Sequence, residues 1–176
     1  PVFSTYFEKL DTNQSASDQL KKQEGEYVDS IFRYTLDLDK RNQRFQTSDG
    51  FRSKFTQSIP MISEDYAFLN SYEYTTFNQI GDSNMITRFS FLGRTINSIT
   101  DEDVRVSKRL YVPSKRLRGF ESGKVGPKDG DDFVGGNYAY SINFASNIPQ
   151  LFEESQSIDF LIFADAANIW GVDYNS

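Results

Sequence analysis

The stretch NYAYSINFASNI at residues 137–148 alternates large apolar side chains with small polar ones. One face would carry the large set: Tyr138, Tyr140, Ile142, Phe144 and Ile148. The other face would carry the small set: Asn137, Ala139, Ser141, Asn143, Ala145 and Asn147. Successive side chains of a strand point to opposite faces, whereas a helix would scatter both sets around its axis. The pattern therefore predicts a long strand with one apolar and one polar face.

Weaker copies of this alternation occur elsewhere and raise the predicted total to about seven strands. They lie at residues 2–9, 28–38, 51–59, 66–75, 89–94 and 158–165. In the last copy, Ile158, Phe160 and Ile162 alternate with Asp159, Leu161, Phe163 and Asp165. Most connections are polar and turn-like, but residues 99–132 form a long connection with little periodicity. Loops of that length inside a compact domain are usually functional.

Two all-β architectures fit this antiparallel pattern: a transmembrane β-barrel and a soluble, secreted β-sandwich that binds carbohydrate or protein. Aromatic residues make up 15% of the chain, and many Tyr and Phe residues stand near predicted strand ends, as in an interfacial aromatic girdle. The polar faces collect Asn, Ser, Ala and Thr, which is typical of a wet barrel interior. Predicted strands of about ten to thirteen residues also favour the barrel, because soluble strands usually have about 5–6 residues.

Composition excludes several classes of function. The 176 residues include no Cys and no His, so neither a disulfide, a Cys/His zinc site nor a His-dependent nucleophile can form. The formal net charge of −6 argues against a nucleic-acid partner held by phosphate contacts. Carboxylate pairs such as Glu102/Asp103 and Asp131/Asp132 fall in predicted loops, where solvated charge is their usual role. We therefore expect no enzyme activity, no cofactor and no metal.

Because the chain starts at Pro1 without a signal pattern, we also expect a piece of something larger or a processed product.

The long connection contains one distinctive stretch, Leu117-Arg118-Gly119-Phe120, and is followed by Gly135-Gly136-Asn137. Arginine presents a rigid fork that pairs with a carboxylate through two hydrogen bonds. A glycine next to it lets the backbone turn tightly, so the loop could fold back towards such a partner. The stretch is thus a candidate contact between the long connection and another part of the fold.

These residues resemble the (V/I)RG(F/Y) loop motif of the BamA-type outer-membrane protein assembly factors, also called bacterial surface antigens. Further segments resemble that family in the same order. They are the turn at residues 47–50 (TSDG), the strand at 91–94 (FLGR), the segment at 122–128 (SGKVGPK), the strand start at 134–137 (VGGN) and the strand at 163–170 (FADAANIW). The similarity spans about residues 27–170, which is most of the chain.

The resemblance implies that residues 1–176 are one partial outer-membrane β-barrel domain, about strands seven to thirteen of sixteen, preceded in the whole protein by POTRA domains. It implies that residues 99–132 are the sixth extracellular loop, which dips into the lumen so that Arg118 pairs with Asp165. Ala145 stands where the family often has a second acid, so Arg118 would have one acidic partner.

By the same resemblance, the protein would fold and insert β-barrel proteins into the bacterial outer membrane. Its implied partners are unfolded β-barrel clients, assembly-complex lipoproteins and outer-membrane lipid. A two-partner-secretion or translocation-module barrel of the same superfamily is an alternative, because it shares the loop motif.

Overall fold

Seven long strands dominate the computed structural model, which describes residues 1–82, 84–100, 102–148 and 160–173. The strands are β1 (Val2–Leu10), β2 (Gly25–Asp39), β3 (Gly50–Ile62), β4 (Ala67–Gln79), β5 (Ile86–Ser98), β8 (Tyr138–Ile148) and β9 (Phe160–Trp170). A short helix, α1 (Asp18–Lys21), lies between β1 and β2, and two short strands, β6 (Lys128–Asp129) and β7 (Asp132–Phe133), form a small hairpin. No helix in these ranges is long and apolar enough to cross a membrane.

The seven long strands form one antiparallel sheet in the order β1-β2-β3-β4-β5-β8-β9. The predicted all-β antiparallel fold of about seven strands is confirmed. Several strands are longer than the alternation alone predicted: β5 begins at Ile86 and ends at Ser98, and β9 ends at Trp170. Ile158 and Asp159, which we assigned to the last strand, lie outside the described residues.

Burial on the sheet is the reverse of burial in a water-soluble fold. On β8, the polar-face residues Ser141 and Asn143 are only 1% and 5% exposed, whereas Ile142 and Phe144 on the apolar face are 39% and 42% exposed. A soluble sandwich would instead bury the apolar face against a second sheet. A strand that presents apolar side chains outward suits a lipid environment, so the sandwich alternative is not favoured.

The apolar face carries an aromatic and polar belt near one end of its strands. Tyr34 donates to Gln57 Oε1 (2.5 Å), Gln57 donates to Asn70 Oδ1 (2.7 Å), and Asn70 donates to Thr95 Oγ1 (3.4 Å). The same row continues across β8 and β9 with the rings of Tyr138 and Trp170, which stack with centroids 5.7 Å apart. Side chains with an apolar body and a polar tip are those that favour a membrane–water boundary.

Part of the polar face is covered by the long loop, residues 99–137, which connects β5 to β8. A 3₁₀ turn, Ser114–Arg116, precedes the β6–β7 hairpin in this loop. Val104, Leu110 and Leu117 of the long loop are buried and pack in one cluster with Ile96 of β5 and Ile169 of β9. The principal apolar core therefore lies between the long loop and the sheet, on the inner side.

We predict that a charge is costly on the outer face and tolerated on the inner one. Ile142 lies in mid-strand between Phe91 of β5 and Ala166 of β9. In the full-length parent protein in lipid vesicles, Ile142→Arg should lower the free energy of unfolding by about 2–4 kcal/mol, because arginine is poorly solvated in the bilayer interior. Denaturant titration measures this difference.

Thr35→Arg is the matched control, since Thr35 is an exposed residue of the opposite, polar face of β2. Equal effects of the two substitutions would contradict an outer face in contact with lipid.

Candidate functional site

Arg118 of the long loop and Asp165 of β9 form a two-pronged ion pair. Arg118 Nε donates to Asp165 Oδ2 and Arg118 Nη2 donates to Asp165 Oδ1, both at 2.7 Å. The backbone N–H of Arg118 also donates to Asp165 Oδ2, at 3.0 Å. The carboxylate side chain is only 4% exposed, so these charge-assisted bonds form away from bulk water. The hydrogen bonds to Asp165 raise the pKa of the Arg118 guanidinium above its ordinary value.

Two residues that we had not singled out complete the surroundings of this pair. Asn143 of β8 lies directly across from Asp165 in the strand register, and its Nδ2 donates to Asp165 Oδ1 (2.8 Å) and to the carbonyl oxygen of Arg116 (2.7 Å). The ring of Phe163 lies 3.7 Å from Arg118 Cζ, a cation–π distance. Asp165 thus accepts four hydrogen bonds, which fix the loop against both β8 and β9.

Arg116, two residues before Arg118, makes a second ion pair, with Glu73 of β4. Arg116 and Arg118 therefore engage different acids on different strands. Within the described ranges, Asp165 is the acid that pairs with Arg118.

The backbone around Arg118 depends on its neighbours. Leu117 is buried in the apolar cluster beneath the loop, which anchors the chain immediately before the arginine. Gly119 adopts φ +85°, a left-handed conformation that glycine reaches without strain, and a Cβ there would meet no atom within 4 Å. Phe120 is mostly exposed. Leu117 and Gly119 thus hold the turn, whereas Phe120 remains at the surface.

Gly135, Gly136 and Asn137 form the junction between the end of the long loop and the end of β9. Asn137 N donates to Gly171 O (2.7 Å), and Gly136 exchanges backbone hydrogen bonds with Leu110. A Cβ on Gly136 would lie 2.6 Å from the backbone oxygen of Trp170, so a larger residue cannot fit without a backbone shift. This glycine is required by close backbone approach.

A second group of charges lies on the same polar face, near the opposite edge of the sheet. The sequence analysis did not identify it. Arg105 and Lys108 of the long loop contact Asp29 of β2 and Asp65 of the β3–β4 turn. Burial raises the pKa of the Asp65 carboxyl, but hydrogen bonds from Lys108 and Ser63 outweigh burial and hold that pKa below its usual range. No local motif marks these residues, because the chain brings them together from positions dozens of residues apart.

The chemistry available in both groups is ion pairing and hydrogen bonding. Among the residues placed by the structure, no cluster of three or more Asp, Glu, His or Cys side chains could hold a metal ion. The paired groups are held by fixed partners within the fold, which suits a positioning role.

Comparison with a solved structure identifies the class of this fold. The sheet has the fold of a β-barrel segment, since it superimposes with a TM-score of 0.75 on the crystal structure of BamA from Haemophilus ducreyi lacking POTRA domains 1–3. That match has 17% sequence identity and covers 83% of this chain and 31% of the other, so it establishes the fold alone.

The chain belongs to the Omp85 superfamily, because the model of the Omp85 superfamily domain matches residues 3–176. It is 24% identical over 175 residues to the outer membrane protein assembly factor BamA of Neorickettsia risticii (strain Illinois). This match covers 97% of this chain and 23% of the relative. The chain therefore spans about a quarter of the length of that relative. The predictions of a BamA-type barrel segment and of an outer-membrane location are confirmed.

We predict that the Gly136 junction tolerates no side chain. In the full-length parent, Gly136→Ala should destabilise the barrel by about 1–3 kcal/mol, because the new methyl group overpacks against the Trp170 backbone. The temperature at which the protein loses its compact migration in semi-native gel electrophoresis measures the loss.

Gly25→Ala is the matched control. A Cβ at Gly25 would lie 3.4 Å from the Tyr27 ring, an ordinary contact, and that substitution should change little. A Gly136→Ala protein as heat-resistant as Gly25→Ala would refute the close-approach argument.

Proposed function

We propose that this chain is the barrel segment of an outer-membrane protein assembly factor that folds and inserts β-barrel proteins into the bacterial outer membrane. Two findings support this role: membership of the Omp85 superfamily over nearly the whole chain, and the similarity to a relative named as such a factor. The role is not enzymatic. Its clients would be unfolded β-barrel proteins, its surroundings outer-membrane lipid, and its helpers assembly-complex lipoproteins.

In this proposal residues 1–176 form one partial barrel domain whose polar face lines the lumen. Residues 99–132 are the extracellular loop that folds back into that lumen. The burial pattern supports this arrangement, because the loop covers polar side chains such as Ser141 and Asn143 while Ile142 and Phe144 remain outward. A loop held inside the lumen also fills space that water would otherwise occupy.

The finer proposal is that the Leu117-Arg118-Gly119-Phe120 segment latches the loop to the barrel wall. The observation that carries it is the two-pronged pair between Arg118 and the nearly buried Asp165. Loss of Arg118 would leave a carboxylate with little water and no cation, which costs about 3 kcal/mol. The latch therefore acts by positioning: it keeps the loop, and the strands that the loop contacts, in one arrangement while clients are handled outside this segment.

Arg118→Ala should impair assembly and lower barrel stability, because it orphans the Asp165 carboxylate. In the full-length protein reconstituted with its complex, we expect client insertion to slow by about tenfold or more, the equivalent of at least ~1.4 kcal/mol. Heat-modifiability of the barrel should be lost at a lower temperature. Both readouts are compared with the unsubstituted protein.

Lys115→Ala is the control, because it removes a cation from the same 3₁₀ turn at an exposed position. If the unsubstituted protein inserts no clients, the assembly role is wrong. If it inserts clients and Arg118→Ala matches Lys115→Ala in both rate and heat-modifiability, the assembly role stands and the latch is wrong.

A further inference from the structure

The charge cluster at Asp29 is as closely built as the Arg118 pair, although no recognised motif includes it. Asp29 is fully buried on the polar face of β2. Its Oδ2 accepts from Arg105 Nη2 at 2.5 Å, and its Oδ1 accepts from Lys108 Nζ at 2.7 Å and from Ser63 Oγ at 2.6 Å. Both oxygens of this carboxylate are thus occupied by groups from other segments.

Asp65 extends the cluster to the β3–β4 turn. Its Oδ1 accepts from Lys108 Nζ at 2.5 Å, and its Oδ2 accepts from the backbone N–H of Arg105 at 3.2 Å. Ser63 Oγ lies 2.7 Å from Asp65 Oδ1, so its one hydroxyl hydrogen is shared between the Asp29 and Asp65 carboxylates. Arg105 also reaches Glu8 of β1, at 3.3 Å, and its guanidinium lies 3.9 Å from the centre of the Tyr27 ring. Two loop cations therefore connect β1, β2 and the β3–β4 turn.

The position of this cluster in the sheet indicates which strands the long loop connects. The long loop leaves the sheet at the end of β5, and Arg105 and Lys108 then reach β2, three strands away in the sheet order. The loop returns at Leu110, which pairs with Gly136 beside β8, and finally contacts Asp165 on β9. The Asp29 cluster and the Arg118–Asp165 pair share no residue and lie near opposite edges of the seven-stranded sheet.

We propose that the long loop is a tie fixed at two ends, with Arg105 and Lys108 as the second anchor, and that this tie sets the curvature of the barrel wall. A chain segment that joins β2 to β9 across the polar face fixes the distance between these two strands. In a curved sheet, that distance sets the curvature. The anchor at Asp29 resists flattening of the wall because any such movement must separate buried, paired charges, which are costly to expose singly. This role goes beyond the assembly function.

The test measures the width of the arc in the full-length protein in lipid vesicles. Spin labels are attached at cysteines replacing Phe7 of β1 and Asn168 of β9, both exposed on the outer face at the end that carries the loop. Pulsed electron–electron double resonance gives the distribution of distances between the labels. Arg105→Met should broaden this distribution and move its maximum to longer distance, because methionine keeps the apolar stem but removes the cation that links the long loop to Asp29 Oδ2 and to Glu8 of β1.

Lys9→Met is the matched control, since Lys9 pairs with Asp11 at the same end of the barrel but at the surface. It should leave the distribution unchanged. Arg118→Met, which releases the other end of the tie, should broaden the distribution as Arg105→Met does.

If Arg105→Met does not fold, the double variant Asp29→Asn with Arg105→Met replaces it, because the double variant removes both members of that ion pair and leaves Lys108 paired with Asp65. The double variant should fold and still show the broadened distribution. If whichever of the two variants folds gives the distance distribution of Lys9→Met, the second anchor does not set the curvature and the proposal is wrong.

Discussion

The burial of a polar sheet face beneath its own loop is the condition on which the other features of this segment depend. Strands in a bilayer must direct apolar side chains outward, which leaves their polar side chains on the inner face. Here the long loop covers that face and supplies Val104, Leu110 and Leu117 to the core. Without the loop, the inner apolar cluster would lose its packing and the buried carboxylates would lose their cations.

Apolar packing and ion pairing contribute differently to this arrangement. The cluster around Leu110 removes apolar surface from water and contributes non-directional stability. The ion pairs of Arg118 with Asp165 and of Arg105 with Asp29 add little net stability relative to apolar replacements, but they are costly to break. They therefore select one loop position among many that would bury similar area. The two ion pairs lie at separate sites on the sheet, and Leu110 and Leu117 of the apolar cluster lie on the loop segment between them.

Much of the fold could be predicted because strand periodicity is a local signal. The predicted alternation agrees with the burial of β8 from Tyr138 to Ala145. Strand ends were harder to predict: Gln57 and Asn70 interrupt the apolar face, because the belt of hydrogen bonds places polar groups there. The shorter prediction for β5 has a related cause, since Gly93 and Thr95 dilute its outward face.

Only part of the candidate site could be predicted from the sequence. Arg118 and Asp165 were paired through resemblance to a family, whereas Asn143 was assigned to the right face but not to the pair. Its role depends on the β8–β9 register, which the alternation does not specify. Arg105 and Asp29 are 76 positions apart and belong to no recognised motif, so only the folded chain reveals their contact.

The most direct test of this account is an accessibility scan along β8 in the full-length protein in bilayers. This segment has no native cysteine, so single cysteines at residues 138–148 can carry a spin label, and collision rates with oxygen and with a water-soluble nickel complex can be compared. The account predicts that labels at Tyr138, Tyr140, Ile142 and Phe144 collide mainly with oxygen in the lipid. Labels at Ala139, Ser141, Asn143 and Ala145 should be shielded from both reagents by the loop. Equal accessibility at odd and even positions, or lipid exposure of the odd ones, would contradict the burial of the polar face.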